Sequence, residues 1–77
     1  MDLDNANGVW EELEKHILRE KKKHPEWRAG QTIFNTAHKF FPIATDIIRG
    51  TKDDCFHNDA KIESFKNKFI ELVSEYY

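Results

Sequence analysis

The sequence predicts an all-α protein, a compact bundle of three main helices and one short helix around an aromatic-rich core. Apolar residues recur every three or four positions in three separate segments, which is typical of amphipathic helices. No segment shows the alternation of apolar and polar residues that would predict a strand. The chain has 77 residues, which suits a single domain spanning residues 1–77.

The first helix is predicted over about residues 8–22. Asn5 and Asn7 precede it and are candidates to cap its start. Its apolar row consists of Val9, Trp10, Leu13 and Ile17. Lys21–Lys23 lie at its end, where the helix dipole favours cations. We expect Pro25 to end this helix, because a residue that precedes proline disfavours the α conformation.

The second helix is predicted over about residues 25–40, since proline suits the first turn of a helix. Its broad apolar face consists of Trp27, Gly30, Ile33, Phe34, Ala37, Phe40 and Phe41. A short third helix is predicted over about residues 43–49, between Pro42 and Gly50, because glycine is typical of helix C-termini. Its apolar positions are Ile43, Ile47 and Ile48.

The stretch GTKDDCFHND, residues 50–59, is the only long loop that the sequence predicts. Asn58 or Asp59 could cap a fourth helix, predicted over about residues 59–76. Its apolar row is the clearest in the chain and consists of Ile62, Phe65, Phe69, Leu72, Val73 and Tyr76. From these rows we expect Phe34, Phe65 and Phe69 to lie in the core.

Composition and charge exclude several classes of protein. The formal net charge of −2 argues against a dedicated nucleic-acid binder and against a membrane-surface protein. No apolar run is long enough to cross a bilayer, and the first residues lack the apolar segment of a secretion signal. The single cysteine, Cys55, excludes an internal disulfide. These observations predict a cytoplasmic protein that does not bind membranes.

A second, polar row runs along the predicted second helix, and it consists of Arg28, Gln31, Asn35 and His38. At about 3.6 residues per turn these side chains share one side of the helix, at the edge of its apolar face. One interpretation is structural: Arg28, Gln31 or Asn35 hydrogen-bonds to the 50–59 loop, whose backbone groups lack regular partners. The other is a recognition surface. Gly30 favours the structural interpretation, because a glycine inside a helix costs about 1 kcal/mol, and that cost is easier to explain if another backbone or a large ring packs against it.

Four residues of the loop have types that can bind metals or act as nucleophiles, namely Asp53, Asp54, Cys55 and His57. A structural zinc site needs four ligands, usually in closely spaced pairs, and the other histidines show no such pairing. The sequence therefore predicts no metal, no cofactor and no enzymatic activity. An enzyme that uses Cys55 activated by His57 is the remote alternative.

Lys21, Lys22 and Lys23 are candidate phosphate contacts at the corner between the first two helices. They support an alternative function, a weak DNA- or RNA-binding protein with the second helix as the reading helix. Acidic residues elsewhere in the chain would repel a long duplex, so we rank this alternative below protein binding.

The central half of the chain resembles a group of short bacterial and phage proteins of unassigned function. Their pattern is R-x-G-Q-x-x-F-N followed by a G-T-x-x-D-x-F-x-x-D loop. The matching residues are Arg28, Gly30, Gln31, Phe34 and Asn35, then Gly50, Thr51, Asp54, Phe56 and Asp59. The resemblance implies a compact accessory protein of a bacterium or its phage and carries no activity with it. It also implies that the two blocks meet in space.

Taken together, these features predict a small helical interaction module that binds a protein partner. The reasons are its size, the absence of a catalytic constellation and the aromatic residues near the chain ends. The candidate exposed apolar positions are Leu18, Ile70, Tyr76 and Tyr77. An inhibitor of a host system, encoded by a phage, fits this description. The sequence identifies neither the partner nor the oligomeric state.

Overall fold

Four α-helices make up the fold in the computed structural model, which describes residues 1–77. They are α1 (Leu3–Lys23), α2 (Ala29–Phe40), α3 (Pro42–Ile48) and α4 (Ile62–Tyr76), and one 3-10 turn (Asp59–Lys61) leads into α4. There is no strand, so the predicted all-α bundle of three main helices and one short helix is confirmed. None of the helices combines the length and the apolar character needed to span a bilayer.

The first helix begins at Leu3, earlier than the predicted start at residue 8. The Asp2 carboxylate accepts a hydrogen bond of 2.8 Å from the backbone N–H of Asn5 and so caps the helix. The predicted capping residues Asn5 and Asn7 therefore lie inside α1. The predicted start was wrong because the first turn of α1 buries only one small apolar residue, Ala6, so the apolar periodicity of the sequence did not extend to it.

The second helix begins at Ala29, later than the predicted start at residue 25. Residues 24–28 form a turn instead, in which the Trp27 N–H donates to the His24 carbonyl over 3.0 Å. The Trp27 ring stacks on the His24 ring with 3.8 Å between centroids. The Lys21 ammonium donates to the carbonyls of Pro25 and Trp27, which stabilises the turn. Trp27 is therefore not part of the apolar face of α2.

Aromatic rings connect the helices through a shared core. Phe65 and Phe69 of α4 and Phe34 of α2 are buried, as predicted. The Trp10 ring of α1 packs edge-on against Phe69, with 5.6 Å between centroids. Phe34 lies 5.8 Å from Phe65, and Phe41 lies 5.5 Å from Phe69. Because α4 supplies a ring to each of these contacts, it is the central element of the bundle.

The chain ends meet, because α1 and α4 run antiparallel. The amino group of Met1 donates to the Ser74 carbonyl over 3.0 Å. Inside α2 the buried hydroxyls of Thr32 and Thr36 donate to carbonyls one turn earlier, those of Arg28 and Thr32. No buried side-chain nitrogen or oxygen lacks a hydrogen-bond partner. The core therefore carries no unsatisfied polar side chain.

Exposure differs from the sequence prediction at several apolar residues. Ile70, predicted to be exposed, is buried because α4 buries a wider face than its apolar row indicated. Ile43 and Ile47 of α3, both assigned to its apolar face, are exposed. Tyr76, which belonged to the apolar row of α4 and was also a candidate exposed position, is exposed as well. The short α3 packs through Ala44, Thr45 and Ile48, and this leaves its other apolar face uncovered.

Replacement of Phe65 by alanine tests the core. A cavity in place of a fully buried ring should lower the free energy of unfolding by about 3–5 kcal/mol. Urea denaturation followed by circular dichroism measures this loss. Leu18→Ala is the matched control, because that side chain is exposed and should change stability by less than about 0.5 kcal/mol. Equal midpoints for Phe65→Ala and wild type would show that this face of α4 is not buried.

Candidate functional site

The start of α2 is bonded to the 50–59 loop. The Arg28 guanidinium donates to the Phe56 carbonyl, and its Nε lies 4.0 Å from Asp59 Oδ1. The same Asp59 oxygen accepts a hydrogen bond of 2.9 Å from the backbone N–H of Gly30. The first N–H groups of a helix have no partners within the helix, and the residue at the N-cap position, Arg28, does not cap them. Asp59 therefore caps α2 from a distant part of the chain.

Gly30 brings the two backbones into direct contact. A Cβ atom at this position would overlap the Cys55 carbonyl oxygen and lie 2.9 Å from Asp59 Oδ1. The Cys55 thiol donates in return to the Gly30 carbonyl over 3.3 Å. This confirms that another backbone packs against Gly30 and that the two sequence blocks meet in space. The resemblance to bacterial and phage proteins itself stays a prediction.

Side chains of the 50–59 loop also form hydrogen bonds with the backbone of the loop itself. The two oxygens of Asp54 accept hydrogen bonds from the N–H groups of Gly50 (2.7 Å) and Phe56 (2.8 Å). Gly50 has a φ of 76°, which favours glycine. The Asp53 carboxylate accepts from the Ser64 hydroxyl of α4. Both aspartates therefore shape and anchor the loop rather than pair with Arg28 or Arg49.

The polar row of α2 divides into two parts. Arg28 bonds to the loop, and His38 Nε2 lies 3.1 Å from Asp46 Oδ1 on α3. Gln31 and Asn35, between them, are partly exposed, and neither side chain makes a hydrogen bond within the protein. The expected hydrogen bond from this row to the loop is therefore made by Arg28, and Gln31 and Asn35 take no part in it. These two carboxamides remain free to donate and accept hydrogen bonds at the surface.

The geometry opposes chemistry at Cys55. Its thiol is fully buried and acts as a donor, whereas His57 is exposed. Burial, with a smaller contribution from the Asp54 and Asp59 carboxylates, raises the pKa of the thiol to about 12. Nucleophilic attack and metal binding both require the thiolate. No three histidine, cysteine or acidic side chains converge to form a metal-binding group.

The three candidate phosphate contacts have different environments. Lys21 is engaged by carbonyls of the 24–28 turn, while Lys22 and Lys23 are exposed. Lys39 donates to Glu20 over 3.2 Å, and this bond, together with the charges of Lys23 and Lys39, lowers the pKa of the Glu20 carboxyl group. The basic corner therefore offers two exposed lysines beside an ionised carboxylate. Nucleic-acid binding stays a prediction.

An exposed apolar surface, which we call the apolar strip, follows the α2–α3 corner and the C-terminus. It consists of Phe40, Phe41, Ile43, Ile47 and Tyr77. The strip is continuous, because the Tyr77 ring packs edge-on against Phe41 at 5.0 Å and its hydroxyl accepts from the Ile43 N–H at 3.1 Å. The relative exposures are 43% for Phe40, 54% for Ile43, 41% for Ile47 and 39% for Tyr77.

Only Tyr77 of this strip was predicted to be exposed. The sequence analysis assigned the other four residues to apolar faces. Phe41 is half-buried against the core, but Phe40, Ile43 and Ile47 are exposed, since helical spacing identifies an apolar face without showing what covers it. The one available signal was the length of the third helix, because seven residues are too few to bury a broad face.

A groove of about 290 Å³ lies between α1 and the Phe40–Phe41 end of the strip. Its lining is mostly apolar and consists of Val9, Glu12, Leu13, His16, Phe40 and Phe41. The His16 ring packs against Phe40 with 4.7 Å between centroids. This part of the surface is concave, whereas Ile43 and Ile47, one turn apart on α3, form a convex ridge.

Comparison with protein-family models, with curated proteins and with solved structures found no match for this chain. Its function is therefore inferred from its own surfaces.

Replacement of Gly30 by alanine tests the contact between α2 and the loop. The added methyl group would displace the Cys55 carbonyl, and overpacking of this kind costs about 1–3 kcal/mol or more. Gly8→Ala is the matched control: it also lies within a helix, but no atom lies within 4 Å of its added Cβ. That change should stabilise the protein by about 0.5–1 kcal/mol. Denaturant melts of both variants measure these opposite effects, and stabilisation by both would rule out the close contact.

The pKa of Cys55 predicts a loss of stability in alkali. Below pH 9.0, the ordinary thiol pKa, the folded and unfolded states both hold the proton. As the pH rises towards about 12, the unfolded state releases it while the folded state keeps it, so the unfolded state is favoured. Wild type should therefore lose more stability than Cys55→Ala between about pH 8 and pH 10.5 in urea titrations. Equal losses in the two proteins would contradict a buried, neutral thiol.

Proposed function

We propose that this protein is a small non-enzymatic interaction module that binds a protein partner through the apolar strip. The observation that carries this proposal is the continuous exposure of Phe40, Ile43, Ile47 and Tyr77. A chain of 77 residues can form only a small core, so it needs most of its large apolar side chains to stabilise the fold. A single exposed apolar side chain such as Leu18 is ordinary, but a continuous row of large ones is best explained by a contact that covers it.

The size of the strip supports the proposal. From their exposed fractions, the four side chains present on the order of 300–400 Å² of largely apolar surface. A continuous patch of this size on a small protein is often a binding site. The adjacent groove could receive side chains of a partner, and aromatic residues such as Phe40 are common at the centres of interfaces.

The remaining reactive groups support a binding role over catalysis. Arg28, Asp54 and Asp59 are occupied in attaching the loop to α2, and the Cys55 thiol is buried and neutral. The proposed setting is the cytoplasm, where a free buried thiol is usual. A role as an accessory or inhibitor protein of a bacterium or phage rests on the sequence resemblance alone.

The double variant Ile43→Glu/Ile47→Glu tests the proposed function. Two carboxylates on the strip should abolish partner binding, because an apolar interface cannot cover unpaired charges without a large cost. Affinity capture from the cells that produce the protein, with quantitative mass spectrometry, measures binding. Leu18→Glu is the control, since it changes an apolar residue of 68% exposure outside the strip.

The expected result is at least one protein captured by wild type and by Leu18→Glu but absent with the double variant. Circular dichroism should show that all three proteins remain helical. Capture that survives in the double variant, or that is lost with Leu18→Glu, would place the binding surface elsewhere.

A further inference from the structure

The apolar strip and its groove have complementary shapes on one molecule. The groove between α1 and Phe40 is concave and mostly apolar. The α3 ridge, formed by Ile43 and Ile47, is convex and belongs to the same surface through Tyr77 and Phe41. A surface that carries both a ridge and a groove can pair with itself about a two-fold axis, since each copy then supplies one ridge and receives the other.

Charges beside the two features are also complementary. Lys39 stands next to the groove, with its Nζ 5.8 Å from the Phe40 ring centroid and its side chain 59% exposed. Asp46 stands next to the ridge on α3, with its side chain 60% exposed. Lys39 has one partner within the chain, Glu20, and Asp46 has two, His38 and Arg49 (3.4 Å), yet Lys39 and Asp46 each keep more than half of the side chain accessible.

If the ridge of one copy occupied the groove of the other about a two-fold axis, Asp46 of one copy would approach Lys39 of the other, and this pair would occur twice. The carboxylate on the groove lining, Glu12, does not oppose this, because Lys15 balances it at 3.2 Å. Exposed pairs of this kind set the orientation of an interface more than its strength.

We propose that the partner bound at the apolar strip is a second copy of this chain, in a two-fold symmetric dimer. The α3 ridge of each copy occupies the groove of the other, and Lys39 faces Asp46 across the interface. This rests on the proposed function, because it names the partner of the same surface. Stable dimers bury about 800 Å² per copy, more than the exposed strip offers, so the dimer should form in the micromolar range and depend on concentration.

Sedimentation velocity of the 77-residue chain, from about 10 μM to about 1 mM, tests the dimer. Wild type and Leu18→Glu should shift from monomer to dimer across this range, and Ile43→Glu/Ile47→Glu should stay monomeric. Lys39→Glu alone and Asp46→Lys alone should each dimerise about tenfold less tightly, because like charges then face each other.

An equimolar mixture of Lys39→Glu and Asp46→Lys gives the decisive result. In a mixed dimer both contacts pair opposite charges again, so the mixture should associate about as tightly as wild type. The two single variants are the controls. The mixture contains the same chains, so any change that a substitution causes within its own monomer is present in both measurements. A mixture that associates no better than either variant alone would overturn the proposed orientation.

Two outcomes separate this inference from the proposed function. Wild type that stays monomeric throughout would overturn the dimer, and capture of another protein through the strip would then still support the binding function. If Ile43→Glu/Ile47→Glu still dimerises, the chain associates through another face. That result would overturn the inference. Loss of both dimerisation and capture by wild type would overturn both proposals.

Discussion

The contact between the Gly30 backbone and the Cys55–Asp59 segment is the constraint on which the rest of the structure depends. It joins the first turn of α2 to a loop that has no regular secondary structure, and it satisfies the polar groups of both. Asp59 caps α2 and is also the first residue of the 3-10 turn that leads into α4. The same residue therefore determines where α2 begins and how the chain enters α4.

With the loop held in this way, its apolar side chains complete the core. Phe56 packs edge-on against Phe34 with 5.7 Å between centroids, and the side chain of Cys55, also in the loop, is fully buried. Phe34 in turn meets Phe65 of α4. Asp53, Asp54 and Cys55, whose types could have formed a reactive cluster, thus have structural roles in the loop, and His57 is exposed. Asp54 and Asp59 accept hydrogen bonds from backbone N–H groups, and Asp53 accepts one from the Ser64 hydroxyl. The burial that keeps the thiol neutral also stabilises the loop.

The apolar strip, in contrast, arises from the way α3 packs at the α2–α3 corner. The α2–α3 corner is tight, because Phe41 alone separates the two helices, and α3 contains only seven residues. A helix of two turns can pack one narrow face on its neighbours, and here Ala44 and Ile48 take that role. Ile43 and Ile47 consequently face outwards, next to Phe40 and the groove along α1. Short helices packed at a sharp corner are thus the physical origin of the apolar strip.

The sequence by itself determined the all-α class, the number of helices and most of the core, because helical periodicity is a local property and Phe34, Phe65 and Phe69 follow it. It also identified the polar row of α2 and the meeting of Arg28 and Gly30 with the loop. Only the tertiary structure decided that α2 starts at Ala29 and that Gln31 and Asn35 have no partners in the protein. It alone revealed that Ile43 and Ile47 lie uncovered. The reason is that a cap such as Asp59, and the cover over an apolar face, come from residues distant in the chain, and spacing along one helix carries no information about them.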